Sequence, residues 1–414
     1  MPHLGSPTTT QRYLPLPAPA AANRPGFRKL ALHFVLGSAA GGLLGVLVAQ
    51  VARLNWEWLP WHAAAAPSAG LVLLFGTLSL WPNILLHEAG HALAGMARGM
   101  RPFAFGLGPW RLERGGGRWR IRKGGHVRGI GGFAALIPNG DKGLSRVDHV
   151  VYLAGGPLAN LMTAGLAAAV LPLAGGSVVL ASLLLGWAAS ALLLGILNLV
   201  PFHSHGWRSD GRGLLGLLTG SATATVHLQI ARVMALSRAG VRPRDWPISL
   251  VPTAAMAHST TPMAALNAGM LRLSWALDRD DAATAGACAA VLRDRFHDAP
   301  AAIQPHVAVT MAGFAARIQH DPQLLAAWRP LCEGGLLDLS VLRDWLDAEL
   351  AVIRADDPAS ATAAIAHARA SLPRAPDPVS GLQLSEYLDE LESRVALRAA
   401  RSCKGHLTRE PAAT

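Results

Sequence analysis

Four stretches in the first half of this chain are long, apolar and almost free of charge: residues 30–51, 68–97, 150–173 and 177–200. A helix rises 1.5 Å per residue, so roughly 20 apolar residues cross about 30 Å of hydrocarbon. A backbone in lipid must also satisfy its own polar groups, which helices do within one segment. The stretches therefore predict four transmembrane helices. The whole composition agrees: hydrophobic residues make up 51% of the 414 and charged ones 15%, with a mean hydropathy of +0.30. The 22 residues of the first stretch would span roughly 33 Å as a helix, and its glycines and alanines suit close helix packing in lipid. Trp56, Trp58 and Trp61 follow at its end, as interfacial tryptophans do. Pro82 predicts a kink in the second stretch.

The formal charge of +11 raises the question of nucleic acid, and its placement answers it. Up to Arg212 there are 18 Lys+Arg and 6 Asp+Glu; the totals of 37 and 26 leave 37 − 18 = 19 and 26 − 6 = 20 for the remainder. All the excess lies in the apolar half. The loop at residues 98–147 alone holds 11 basic and 2 acidic residues. Basic charge beside spans marks cytoplasmic loops facing anionic lipid, so the expected partner is a lipid bilayer and not nucleic acid. Four spans with both termini and the basic loop in the cytoplasm satisfy that rule, and imply a multi-pass protein of a cell membrane. The richness in Ala, Gly and Arg points to a GC-rich bacterial genome and hence to the inner membrane.

Three domains are expected. Residues 1–29, rich in Pro, Ala and Thr with Arg12, Arg24, Arg28 and Lys29, read as a disordered basic tail. Residues 30–211 form the transmembrane core. Within it, FAFGLGPWRLERGGGRWRIRKGG alternates and turns as a short β-hairpin does, and the glycine-rich GGHVRGIGGF follows. Residues 212–414 form a soluble helical domain. Acidic turn signals at Asp280–Asp281, Asp321–Pro322 and Asp356–Asp357–Pro358 recur at spacings of 41 and 35 residues before alanine-rich helix, which resembles tetratricopeptide-like hairpins. Such a domain suits a protein partner. The fold class is thus an all-α membrane protein with a short cytoplasmic hairpin and a C-terminal helical domain. Cys288, Cys332 and Cys403 show neither disulfide nor metal spacing.

The second stretch carries the chemistry, in WPNILLHEAGHALAG. His87 and His91 are four apart, so a helix stacks them on one face and two imidazole nitrogens can grip one ion. Glu88 is adjacent and reaches a water without ligating. This H-E-x-x-H spacing is that of zinc metalloproteases. A glutamate at the centre of a membrane helix costs roughly 2.5–3.5 kcal/mol, so it persists where it has partners or a function. Two histidines leave a catalytic zinc one protein ligand short. The candidate is Asp210, just past the fourth stretch in NLVPFHSHGWRSDG, with His203 and His205 as rivals. Gly155 and Gly156 read as helix-packing positions.

HEAGH in one span, GGPLAN in a later one, and an asparagine-proline stretch ending in aspartate-glycine together resemble the site-2 protease family of intramembrane zinc metallopeptidases. The likeness covers about residues 71–211. It implies a catalytic Zn²⁺ held by His87, His91 and Asp210, with Glu88 as base. It further implies that Asn198 positions substrate or stabilises the oxyanion, and that Asn160 faces the same core. The implied reaction is hydrolysis of a peptide bond in or near a transmembrane segment of a membrane-protein substrate. In the family the aspartate-glycine pair stands four residues earlier, where this chain has Gly206–Trp207. The alternative is a catalytically inactive membrane adaptor acting through its C-terminal helices. A metal transporter would need polar residues continuing across the membrane, and the other spans carry almost none.

Overall fold

The computed structural model describes residues 66–115, 117–124, 127, 131–139, 144–204, 206–253, 261–354 and 358–407. The expected tail at 1–29 and the expected first span lie outside these residues. The described chain is mostly helical with a small antiparallel sheet. Its helices begin with α1 (Ala69–Leu78), α2 (Leu80–Ala97), α3 (Arg146–Val170) and α4 (Val178–Leu199), followed by α5 (Asp210–Thr219) and α6 (Ala222–Arg238).

Two helices are long and apolar enough to cross a membrane, one reaching from Arg146 to Ala174 and the other being α4. The count rises to four if α1 with α2 and α5 with α6, bent by 46° and 98°, are each one span. The first bend falls at Ser79. Pro82, in the opening turn of α2, has no N–H to offer the Leu78 carbonyl, and its ring crowds that oxygen. The second bent pair follows Asp210, where sequence reasoning expected the soluble domain to begin.

The expected hairpin is larger than the sequence suggested. Strands β1 (Met100–Leu107), β2 (Trp110–Gly115), β3 (Arg118–Lys123) and β4 (Gly132–Pro138) form one antiparallel sheet in the order β3-β2-β1-β4. The fourth strand is GFAALIP, whose Phe133 and Ile137 pair with Gly106 and Arg101 of β1. Gly132 and the glycines just before it, Gly129 and Gly131, mask a strand in sequence, because Gly is ordinarily depleted there. A register shift between Pro102 and Ala104 accommodates the proline, which has no ladder donor.

The described residues fall into two compact units, 84–159 with 195–407, and 66–83 with 160–194. The second unit is built as a membrane interior is: small and polar residues inside, large apolar ones outside. Leu73, Met162 and Leu173 are each more than 70% exposed, whereas Ser79, Asn83, Ser182 and Ser190 are buried. Gly76 and Gly186 meet so closely that a Cβ on Gly186 would lie 2.7 Å from the Gly76 nitrogen. Ser190 Oγ joins Ser79 Oγ and accepts from Asn83 Nδ2, both at 2.7 Å.

The C-terminal part of the first unit encloses a large apolar core. Helices α7 (Pro262–Leu277), α8 (Ala282–Asp294), α9 (Gln304–Phe314), α10 (Pro322–Trp328), α11 (Ser340–Arg354), α12 (Pro358–Ser371) and α13 (Pro378–Leu407) enclose Leu273, Leu292, Phe314, Trp328, Leu346 and Leu388, none of them exposed. Full burial contributes roughly 1.5–3 kcal/mol for each such side chain. Two of the acidic turn signals are helix starts. Asp281 accepts from Thr284 N–H at 3.0 Å, and Asp321 from Gln323 and Leu324 N–H at 2.9 and 3.0 Å. Neighbouring helices pack in pairs, α7 on α8 and α11 on α12.

Candidate metal centre

His87 and His91 lie on one face of α2, and each is about 5% exposed. Their Nε2 atoms are 3.2 Å apart. Asp210 Oδ2 lies 3.0 Å from His87 Nε2 and 3.3 Å from His91 Nε2. Three donor atoms thus converge on one point.

The arrangement is held from behind. His91 Nδ1 faces the Tyr152 carbonyl of α3 at 2.8 Å. A carbonyl only accepts, so Nδ1 carries the proton and Nε2 presents its lone pair to the centre. The side chain of Tyr152 in turn donates to the Ala134 carbonyl of β4 at 2.6 Å. Helices α2 and α3 touch backbone to backbone at Gly90 and Gly155: a Cβ on either would fall 2.4 Å from the other's carbonyl oxygen.

Asp210 arrives by a folded loop. Strands β5 (His203–Ser204) and β6 (Trp207–Arg208) make a minimal hairpin, turned by Gly206 at φ +84°. The chain then returns to where it left α4. Ser209 Oγ donates to the Val200 carbonyl at 2.6 Å and accepts from Phe202 N–H at 3.1 Å and Arg212 N–H at 3.2 Å, capping α5. Gly211 lies so close to the Leu199 carbonyl that no larger residue fits: a Cβ would sit 1.8 Å from that oxygen. The hairpin thus takes up the residues between α4 and α5. Asp210 becomes the first residue of α5.

His203 is exposed on β5 and is not among the converging donors. Desolvation, then Arg212 and Arg208, hold its imidazole below the ordinary histidine value. His205 lies outside the described residues. Asn198 is half-buried in the last turn of α4, next to the Leu199 carbonyl that meets Gly211. Asn160 is fully buried on α3. Glu88 packs against the first residue of β4: a Cβ on Gly132 would be 3.0 Å from Glu88 Cγ and 3.1 Å from Oε1. The Ala134 N–H donates to the Glu88 carboxylate.

The three donors fit a metal ion. Ligand atoms about 2.0–2.2 Å from one tetrahedral ion stand roughly 3.3 Å from each other, and these stand 3.0–3.3 Å apart. The space in front of them is kept open by Gly156. A Cβ there would lie 2.4 Å from His91 Nε2 and 2.8 Å from His87 Nε2. The His87–His91–Asp210 group can thus hold a metal ion, and it is the only such group of three or more among the described residues. Sequence reasoning missed Tyr152 and Gly132, and assigned Gly156 to helix packing. The available signal was the doublet itself, since adjacent helix positions face about 100° apart and cannot both serve one contact.

No family model matches the chain, and neither a curated protein nor a solved structure matches it.

Proposed function

We propose that this chain is an integral-membrane zinc endopeptidase, working as the site-2 proteases it resembles do. The observation that carries the reading is the convergence of His87, His91 and Asp210 on one point, from α2 and the start of α5, in a chain with apolar spanning-length helices. Two imidazoles and a carboxylate in near-tetrahedral spacing suit Zn²⁺. When bound, the ion supplies Lewis acidity toward a water and toward a peptide carbonyl.

The chain's own residues supply the rest. Tyr152 fixes the tautomer of His91. Glu88 is not a ligand; its carboxylate, tied to the Ala134 N–H, is the group placed to take a proton from the attacking water and pass it to the leaving amide nitrogen. Asn198 would steady the substrate carbonyl. A helical substrate shields its own carbonyls, so it must unwind near the cut. Strand β4 lies at the edge of its sheet beside Glu88, where an extended peptide can pair with it. In this reading the sheet, with its basic loop, faces the cytoplasm of a bacterial cell. The paired C-terminal helices, a tetratricopeptide-like array in this reading, bind a protein partner.

Glu88→Gln tests the proposal, with purified full-length protein in nanodiscs and a tagged single-span reporter helix as substrate. The variant keeps one zinc per chain by elemental analysis and loses cleavage by about 10²–10⁴-fold, the range of general-base catalysis. Undiminished cleavage excludes the mechanism. Wild-type protein that carries no zinc and cuts nothing supports an adaptor instead.

A further inference from the structure

Away from the metal centre, a cavity of about 70 Å³ lies between the sheet and the C-terminal helices. One water needs about 10–15 Å³ measured this way, so the cavity holds several. Its lining includes Arg114, Arg120, Arg122 and Arg374 against two carboxylates, Glu113 and Asp338, a formal balance of 4 − 2 = +2. Ala104, which is fully buried, and Gly115 complete the sheet side.

The two carboxylates are already engaged. Glu113 Oε1 accepts from Arg122 at 2.8 Å, and its Oε2 accepts from Asp338 N–H at 2.8 Å. Asp338 Oδ1 accepts from Ser340 N–H at 2.9 Å, at the head of α11. Arg374 reaches Asp344 at 3.1 Å. Arg114 and Arg120 have no acidic partner among the described residues. The Nε–H groups of Arg122 and Arg374 are buried and have no hydrogen-bond acceptor there. A buried donor without a partner costs about 1–3 kcal/mol, more when it is charged. This wall thus carries two guanidinium groups, those of Arg114 and Arg120, with no carboxylate of their own among the described residues.

We propose that this cavity binds a phosphate group. A phosphate monoester carries about −1.5 to −2 at pH 7 and presents three acceptor oxygens, which suits Arg114 and Arg120, the two guanidinium groups that line the cavity without an acidic partner among the described residues. Guanidinium forks are the groups that grip phosphate in two-point fashion. A soluble phosphate compound and the headgroup of an anionic phospholipid offer the same chemistry. Because Glu113 and Arg122 stand on the sheet while Asp338 and Arg374 belong to the C-terminal helices, the ligand would tie the two together.

Isothermal titration calorimetry on the full-length protein in phosphatidylcholine nanodiscs tests this, with inorganic phosphate as the probe. Arg120 is exposed and Arg114 half-buried, so their alanine variants should fold; Arg118→Ala, exposed on the same strand and outside the cavity, is the control. We expect one saturable site, weakened about tenfold by Arg114→Ala or by Arg120→Ala and unchanged by Arg118→Ala. In nanodiscs containing phosphatidic acid, loss of phosphate binding by the wild-type protein identifies a lipid source; unchanged binding identifies a soluble one. Absence of saturable binding overturns the proposal. So does equal affinity for acetate, or an Arg118→Ala loss as large as that of Arg120→Ala.

Discussion

Replacing Gly156 by alanine adds one methyl group directly in front of the two imidazoles. The new Cβ would lie 2.4 Å from His91 Nε2, 2.7 Å from His91 Cδ2 and 2.8 Å from His87 Nε2. Ordinary contact begins near 3.4 Å. An imidazole must therefore retreat by about 3.4 − 2.4 = 1.0 Å, and metal sites tolerate only about ±0.2 Å in ligand distance. His91 cannot turn aside freely, because its Nδ1 is bound to the Tyr152 carbonyl. Disturbing the groups that orient metal ligands typically costs 10–100-fold in affinity, or about 1.4–2.8 kcal/mol. A direct clash should reach the upper end. The assay is zinc affinity by competition with a chromophoric chelator, alongside helix content by circular dichroism. Gly165→Ala, on the same helix with open space around it, is the control and should leave zinc affinity unchanged. Native affinity in a folded Gly156→Ala protein would refute the geometry described here.

Ser209→Ala removes the hydroxyl that ties the returning loop to Val200 and Phe202; it should cost about 1 kcal/mol of stability and lower zinc affinity about tenfold, although no ligand is changed. Asp278→Ala leaves the buried Arg242 with Glu386 as its remaining carboxylate partner, so the cost should fall below the about 3–5 kcal/mol of a wholly unpaired buried charge, readable as a lower thermal midpoint by tryptophan fluorescence. Burial and, after it, nearby Arg122 lower the His306 pKa to about 4. The folded state thus binds fewer protons than the unfolded one between pH 6.5 and 4, and this stabilisation is full above pH 6.5 and lost as pH falls toward 4. It amounts to at most about 3 kcal/mol; His306→Leu should flatten that limb of the stability–pH curve.

The pairing of His87 with His91 as a group able to hold a metal ion was legible because helical periodicity and ligand chemistry both act over four residues. Asp210 was reachable through chain topology, as the one acid beyond the end of α4. The hairpin that delivers it was not, since two-residue strands have no periodic signature. Strand β4 was hidden for a related reason: its residues look like a glycine-rich linker until β1 supplies the partner edge. The pair α5–α6 fell in the part read as soluble, because the four long, apolar, nearly uncharged stretches end at residue 200. The cavity at Arg114 and Arg374 joins residues 260 apart in sequence, and nothing local announces it.

The contact of Gly90 with Gly155 sets the separation of two helices by main chain alone, with no side chain acting as spacer. Exchanges among leucine, valine and isoleucine on their lipid-facing sides can therefore accumulate without detuning the ligands.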